Sequence, residues 1–298
     1  MLSTRQLRYF EAIARHRHFG RAAEDCAVTQ PALSMQIREM EEMLGVRLLE
    51  RGRGGVRLTP VGEEAAARAR GVLAALADME RTIRDSGRLL EGRLRLGVIA
   101  SIAPYLLPRL LPEMARRYPG LEIALRESQT EHLVAELVQG DLDLVILSLP
   151  VEHPALDAMA LFEDRFILAV PEASADFPGP QASADSILAA DLLLLEDGHC
   201  LRDQALNVCH KADARQLRRF GASSLATLAQ LVANGQGITL LPDLFVRAEG
   251  GRMEGIRLLP FPDPVPARTI GLVWRHTLPY REDVEAVADM VKACRPGV

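Results

Sequence analysis

Lysine is nearly missing from this chain: Lys211 and Lys292 are the only two among 35 basic residues, so arginine carries almost all the positive charge. An excess of arginine is therefore weak testimony for a nucleic-acid partner. A secretory leader is missing too. The opening stretch MLSTRQLRYFEAIARHRHF has no apolar core and no small-residue cleavage site. Nowhere does the chain approach the roughly 18 uninterrupted apolar residues of a membrane span. Both absences lead us to expect a cytoplasmic protein without a membrane partner. Cysteine is scarce as well: Cys26, Cys200, Cys209 and Cys294 are too few for a disulfide framework in 298 residues. The cytoplasm keeps thiols reduced, which argues against a permanent staple between any two of them.

What remains is the composition of a globular protein that buries ordinary cores, 48% apolar and 25% charged. At roughly 100–150 residues per domain, two or three domains fit. The net charge of −5 is unevenly spread. Residues 1–60 hold ten arginines against seven acids, leaving −8 on the remainder. A basic head on an acidic body suggests a polyanion for the head alone.

The head reads as helices. Leu7, Phe10, Ile13 and Ala14 form an apolar stripe over 6–17, and FGRAAEDC (19–26) suits a short second helix with Ala22, Ala23 and Cys26 inward. Thr29 is placed to cap a third helix with Pro31 in its first turn. This helix runs to Gly45 with Leu33, Ile37, Met40 and Leu44 inward, exposing Gln30, Ser34, Met35 and Arg38. Two helices around a tight turn make a helix-turn-helix, whose second helix enters the major groove. Gln and Arg there supply bidentate donor patterns. RLLERGRGGVRLTPVG then reads as a hairpin whose tip carries Arg51 and Arg53 toward the phosphate backbone. The plainer alternative is a small helical domain with arginines on a solvated face. The block FGRAAEDCAVTQPALSMQIREMEEMLGVRLLER (19–51) resembles the DNA-binding domain of LysR-type transcriptional regulators. That resemblance implies that Gln30, Pro31, Ser34 and Arg38 face double-stranded promoter DNA, with Arg51 near the wing.

Thr59-Pro60 opens a proline-free run to Leu90 in which Val72, Leu76, Met79 and Ile83 step like a coiled-coil seam. A dimerising linker helix suits DNA with two half-sites. Beyond it, strand and helix patterns alternate: strands at 93–100, 121–128, 141–149, 161–171, 192–196, 238–242 and 268–275, with helices at 104–119, 130–140, 223–237 and 281–294. Such alternation predicts parallel sheets with a site at the strand C-termini. The resemblance implies an α/β effector domain of the two-lobed periplasmic-binding-protein kind. The expected division is 1–58 winged helix-turn-helix, 59–91 linker helix and 92–298 regulatory domain. Lobe I would take 92–162 and 268–298, and lobe II 163–267. The cleft would lie at strand ends near 100, 128, 148, 197 and 270.

EDGHCLRDQALNVCH (196–210) leaves three readings open for its thiols. His199, Cys200, Cys209 and His210 form a possible zinc donor set, although adjacent ligands point in divergent directions. The cysteines also suit small core hydrophobes, a role that fits Cys26 and Cys294 better. As a reactive thiol, Cys200 would draw its thiolate character from neighbouring His and Arg and from the N–H groups of a helix starting at Leu201. The stretch at 195–209 is similar to that of the peroxide-sensing members of the LysR family. So are GVIASIAPYLLP (97–108), ESQTEHL (127–133), GDLDLVIL (140–147), GITLLP (237–242) and RTIGLV (268–273). This resemblance implies that hydrogen peroxide oxidises Cys200 and that Cys209 closes a disulfide with it. It implies a peroxide pocket of Ser101, Thr130, His199, Asp203 and Arg268, with Ser101 standing where the family usually has threonine. It further implies a tetramer built as a dimer of dimers, RNA polymerase as partner and a thiol reductant such as glutaredoxin or thioredoxin, with no cofactor and no metal. The chain would regulate transcription and not act as an enzyme. A metabolite-sensing regulator and a thiol peroxidase are the competing readings. His210 has no assigned role.

Overall fold

The structure is a computed structural model of the chain and describes residues 1–52, 55–84, 89–182, 187, 190–208, 217–249, 251 and 253–296. It divides into two compact units, Met1–Arg84 with Val138–Asp141, and Asp85–Leu137 with Leu142–Val298.

In the first unit, α1 (Thr4–His16) opens on a capping box in which Ser3 Oγ accepts from Gln6 N and Gln6 Oε1 accepts from Ser3 N. α2 (Phe19–Asp25) is capped by the His18 ring, whose Nδ1 accepts from the amides of Gly20 and Arg21. α3 (Gln30–Leu44) is capped by Thr29, as expected, and stops at Gly45, where φ of +68° is cheapest for glycine. Phe10, Ile13, Ala22, Ala23, Leu33, Ile37 and Met40 close the core between these helices. Leu44 departs from the expectation: it is 40% exposed, because the helix outlasts the core beneath it. The buried residue at that end is charged. Glu41 receives the amides of Leu48 (2.7 Å) and Leu49 (3.0 Å). This tether holds the chain off strand geometry through Leu48, so the wing begins later than expected, as β1 (Leu49–Gly52) antiparallel to β2 (Gly55–Leu58).

α4 (Pro60–Arg84) is the linker helix, capped by Thr59, whose Oγ1 accepts from Gly62 N and donates to Arg47 O. A side chain at Gly62 would meet Leu48 O at 2.1 Å, so glycine is required where the helix crosses the wing. Val72 and Met79 of the predicted seam are exposed, at 54% and 52%, and Leu76 is half-buried.

The second unit holds two sheets that share one strand. β3 (Arg93–Ile99) lies parallel to β4 (Glu122–Ser128) and β5 (Leu144–Leu149), with α5 (Ala103–Arg117) and α6 (Thr130–Gln139) as crossovers. β11 (Ala267–Arg275) adds antiparallel to β5 and pairs in turn with β6 (Leu156–Pro171). β6 changes partners midway. Leu156 to Arg165 pair with β11, whereas Phe166 to Pro171 pair with β9 (Thr239–Pro242) and β10 (Ile256–Pro260). The second sheet continues through β7 (Leu192–Leu195), bonded to Ile238, to β8 (Leu217–Ala222). α7 (Cys200–Val208), α8 (Leu225–Ala233), α9 (Asp243–Glu249) and α10 (Arg281–Ala293) complete the fold. The expectation of parallel sheets is therefore corrected: both are mixed, because β6 and β11 return antiparallel between the lobes. One consequence is that β11 meets the cleft with its first residues, near Arg268, and not with its end.

Replacing Glu41 with Ala leaves two buried amides without an acceptor. We expect a loss of about 2–3 kcal/mol, the usual cost of removing hydrogen bonds to a charged group. Glu41→Gln, which keeps a carbonyl acceptor, should lose less. Urea unfolding followed through the N-terminal unit reads both.

Candidate functional site

Three connections bring side chains to one place. β3 and β4 run parallel and end together at Ile99 and Ser128, and the helices after them start at Ala103 and Thr130. From the other lobe β7 ends at Leu195 and α7 starts on Cys200 itself. Strand C-termini facing helix N-termini make a cleft rich in free N–H groups, suited to a small polar or anionic guest. Between them lies a cavity of about 10 Å³, walled by Ile99, Ala100, Ser101, Ser128, Gln129, Thr130, Gly198, His199, Cys200 and Leu201. That is the space of about one water molecule.

Gly198 adopts φ +92°, and a side chain there would strike the Gln129 amide at 2.7 Å. The glycine thus lets the Cys200 loop close down on the start of α6. Thr130 Oγ1 is buried and without a hydrogen-bond partner, an unmet demand on the cavity wall. His199 is 10% exposed, and its Nε2 lies 3.9 Å from Glu196, beyond hydrogen-bond reach. Ser101 is buried, and its Oγ accepts from Arg268 Nη1 at 2.8 Å while its carbonyl accepts from Nη2 at 3.3 Å. Arg268 is itself buried and paired with Asp164, with Nε 3.0 Å and Nη2 2.9 Å from Oδ2. Asp164 Oδ1 takes the Leu244 amide at 2.9 Å. Burial pushes the Asp164 carboxyl up, and the Arg268 guanidinium and the Leu244 amide pull it back.

Four of the expected pocket residues and the thiol thus form one connected group: Ser101, Thr130, His199 and Cys200 wall the cavity, and Arg268 reaches it through Ser101. Asp203 stands apart, exposed in the first turn of α7 and outside the cavity wall. Arg202, expected beside the thiol, is turned back to the Leu195 carbonyl (3.0 Å) and Asp197 (3.0 Å). Two residues were missed. Gln204 donates to Ser148 Oγ at 2.6 Å and ties α7 to β5, and Asp164 holds Arg268. Neither carries a sequence signal, since each partner lies 56 or 104 residues away.

Cys209 and His210 lie outside the described residues, and so does Arg53 of the wing. Among the described residues no three His, Cys, Asp or Glu side chains gather as metal ligands. Cys294 is buried, as expected, whereas Cys26 is only half-buried; burial pushes both thiols up. No described helix is long and apolar enough to cross a membrane. On α3, Gln30, Pro31, Met35 and Arg38 are exposed and Ser34 half-buried, with Thr29 exposed at the cap. Arg51 sits on β1, opposite Val56.

Residues 4–63 match the "Bacterial regulatory helix-turn-helix protein, lysR family", and residues 87–295 the "LysR substrate binding domain". The chain is 42% identical to the DNA-binding transcriptional dual regulator OxyR of Escherichia coli, over 99% of this chain and 97% of that one. Its fold is similar to a full-length cysteine-to-aspartate variant of Pseudomonas aeruginosa OxyR, with a TM-score of 0.77 at 34% identity, covering 99% and 97% of the two chains. A peroxide-bound cysteine-to-serine mutant of Corynebacterium glutamicum OxyR matches with a TM-score of 0.67 at 34% identity, covering 98% and 92%. With a capped helix-turn-helix, a wing and a two-lobed α/β domain in that order, the chain belongs to the LysR family of DNA-binding transcriptional regulators and resembles its OxyR members along its whole length.

Proposed function

We propose that the protein senses hydrogen peroxide through Cys200 and Cys209 and answers with a changed grip on promoter DNA. The observation that carries this reading is the cavity against Cys200, one water molecule in size, with the buried Thr130 hydroxyl unpartnered on its wall. That space suits a guest as small as peroxide better than it suits a metabolite, the competing effector.

The Cys200 thiolate attacks one peroxide oxygen; the S–O bond forms as the O–O bond breaks, and the departing hydroxide takes a proton to leave as water. Ser101 and Thr130 hold the peroxide in line, and Arg268 stabilises the charge on the leaving oxygen through Ser101. The Cys209 thiolate then attacks the Cys200 sulfenic sulfur, forming the S–S bond and releasing a second hydroxide. Cys200 begins α7, and Cys209 follows its last residue, Val208. An intact helix of that length separates its ends by on the order of 13 Å, whereas disulfide Cα atoms lie within about 7 Å. Closing the bond therefore unwinds α7, and a local oxidation becomes a change of shape in the regulatory domain.

The reading extends to a dimer of dimers on two half-sites, with Gln30, Ser34 and Arg38 in the major groove and Arg51 and Arg53 along the backbone. The rearranged tetramer would engage RNA polymerase at antioxidant promoters, and a cytoplasmic reductant such as glutaredoxin or thioredoxin would reset the thiols. One peroxide is consumed per event, and the output is transcription, which separates this protein from a thiol peroxidase.

With equimolar peroxide, mass spectrometry should find a Cys200–Cys209 disulfide and footprinting a changed protection pattern; Cys200→Ser should show neither. A footprint that shifts only with a metabolite would overturn the proposal. Thr130→Val keeps the shape of the site but removes its free hydroxyl. Its peroxide reaction should slow by roughly 100-fold, the usual loss when one transition-state donor is deleted. Stopped-flow measurement of Cys200 oxidation reads that rate.

A further inference from the structure

Asp164 has no exposure to solvent, and neither sequence pattern nor relatives' names give it a task. It lies directly across the β6–β11 ladder from Arg268, as the registered partner of that residue. From there Oδ2 accepts from Nε and lies 2.9 Å from Nη2 in the ion pair, while Nη1 donates to Ser101 Oγ. A buried guanidinium without a counter-charge is costly, so a side chain this deep is held by its partner more than by packing. Asp164 therefore fixes the guanidinium plane, and the guanidinium fixes Ser101.

Ser101 needs such a hold. A serine hydroxyl lacks the second Cβ substituent that restricts χ1 in threonine, so its rotor is free unless a bond fixes it. Because Oγ accepts from Arg268, its own hydrogen is left to donate to a guest in the cavity. We propose that Asp164 is a positioning residue for the peroxide reaction: by clamping Arg268 onto Ser101 it keeps the Ser101 hydroxyl aimed at the cavity beside Cys200. This rests on the reading of Cys200 as the thiol that peroxide attacks.

Asp164→Asn tests it. The side-chain carbonyl still accepts the Leu244 amide, but the new amide group has no lone pair for the Arg268 donors. In the full-length protein, two second-order rates of Cys200 are measured, with hydrogen peroxide and with iodoacetamide, whose attack needs no hydroxyl clamp. Peroxide oxidation should slow by roughly 10-fold to 100-fold, as when an outer partner that orients a functional group is removed, while alkylation keeps its rate. Adding Ser101→Thr to Asp164→Asn should restore most of the lost rate, since the methyl group takes over the orienting role. Should Asp164→Asn fail to fold, Asp164→Glu displaces the same carboxylate by one methylene and should show the same split. An unchanged peroxide rate, an equal fall in both rates, or no rescue by threonine would overturn the proposal. A wild-type protein inert to peroxide would overturn instead the functional reading beneath it.

Discussion

Sixteen residues of one strand hold the regulatory domain together. β6 begins against β11 in one sheet and ends between β9 and β10 in the other, with the exchange at Arg165 and Phe166. A continuous strand cannot rotate one lobe freely while leaving the other in place, so lobe geometry and pocket geometry are linked. Asp164 sits one residue before the exchange point. Its carboxylate reaches Arg268 in the first sheet and the start of α9 beyond β9 in the second. Among the described residues, the guanidinium that meets the Cys200 cavity wall, Arg268, is thus held at the seam between lobes.

Burial at this seam is asymmetric in its demands. Asp164 and Arg268 are both cut off from water, and such pairs survive where each remaining lone pair and proton finds a partner. Here the Leu244 amide, the Ser101 hydroxyl and the Ser101 carbonyl supply them. On the same cavity wall as Ser101, the Thr130 hydroxyl has none. One side of the cavity has its polar groups partnered, and the other keeps one buried hydroxyl without a partner. The contrast separates the residues that hold the site from the residue that waits for its occupant.

Much of this was legible before any coordinates. Amphipathic spacing gave α1, α2 and α3 with ends correct to within two residues; Thr29, Pro31 and Gly45 are local signals that fixed α3, whereas the Ser3 cap went unread and α1 starts two residues before its expected place. Strand–helix alternation located β3 to β7 and their crossovers. What failed was long-range. The direction of β11 depends on a pairing partner over a hundred residues away, so periodicity could not distinguish parallel from antiparallel. β8, β10 and α9 were missed, being five to seven residues long with mixed composition. Leu44, expected inward, is exposed, and Glu41 is buried at that end because its carboxylate accepts the wing's amides. At the site, a resemblance supplied Ser101, Thr130, His199 and Arg268, and the fold brought them to Cys200. It left Asp203 facing solvent and turned Arg202 away, since one turn of helix decides which side a neighbour of Cys200 occupies.

A cavity the size of one water molecule has bulk solvent as its permanent rival. Peroxide offers the same hydrogen bonds as water and little additional surface, so it gains almost no binding advantage there. Fractional occupancy by oxidant then stays small at any concentration well below a weak dissociation constant. Under the proposed function, what would accumulate is reacted thiol, which would count encounters over time until a reductant erased the tally. A peroxide regulator built around such a space would behave as a dosimeter, with a threshold set by the ratio of two rates and not by an affinity.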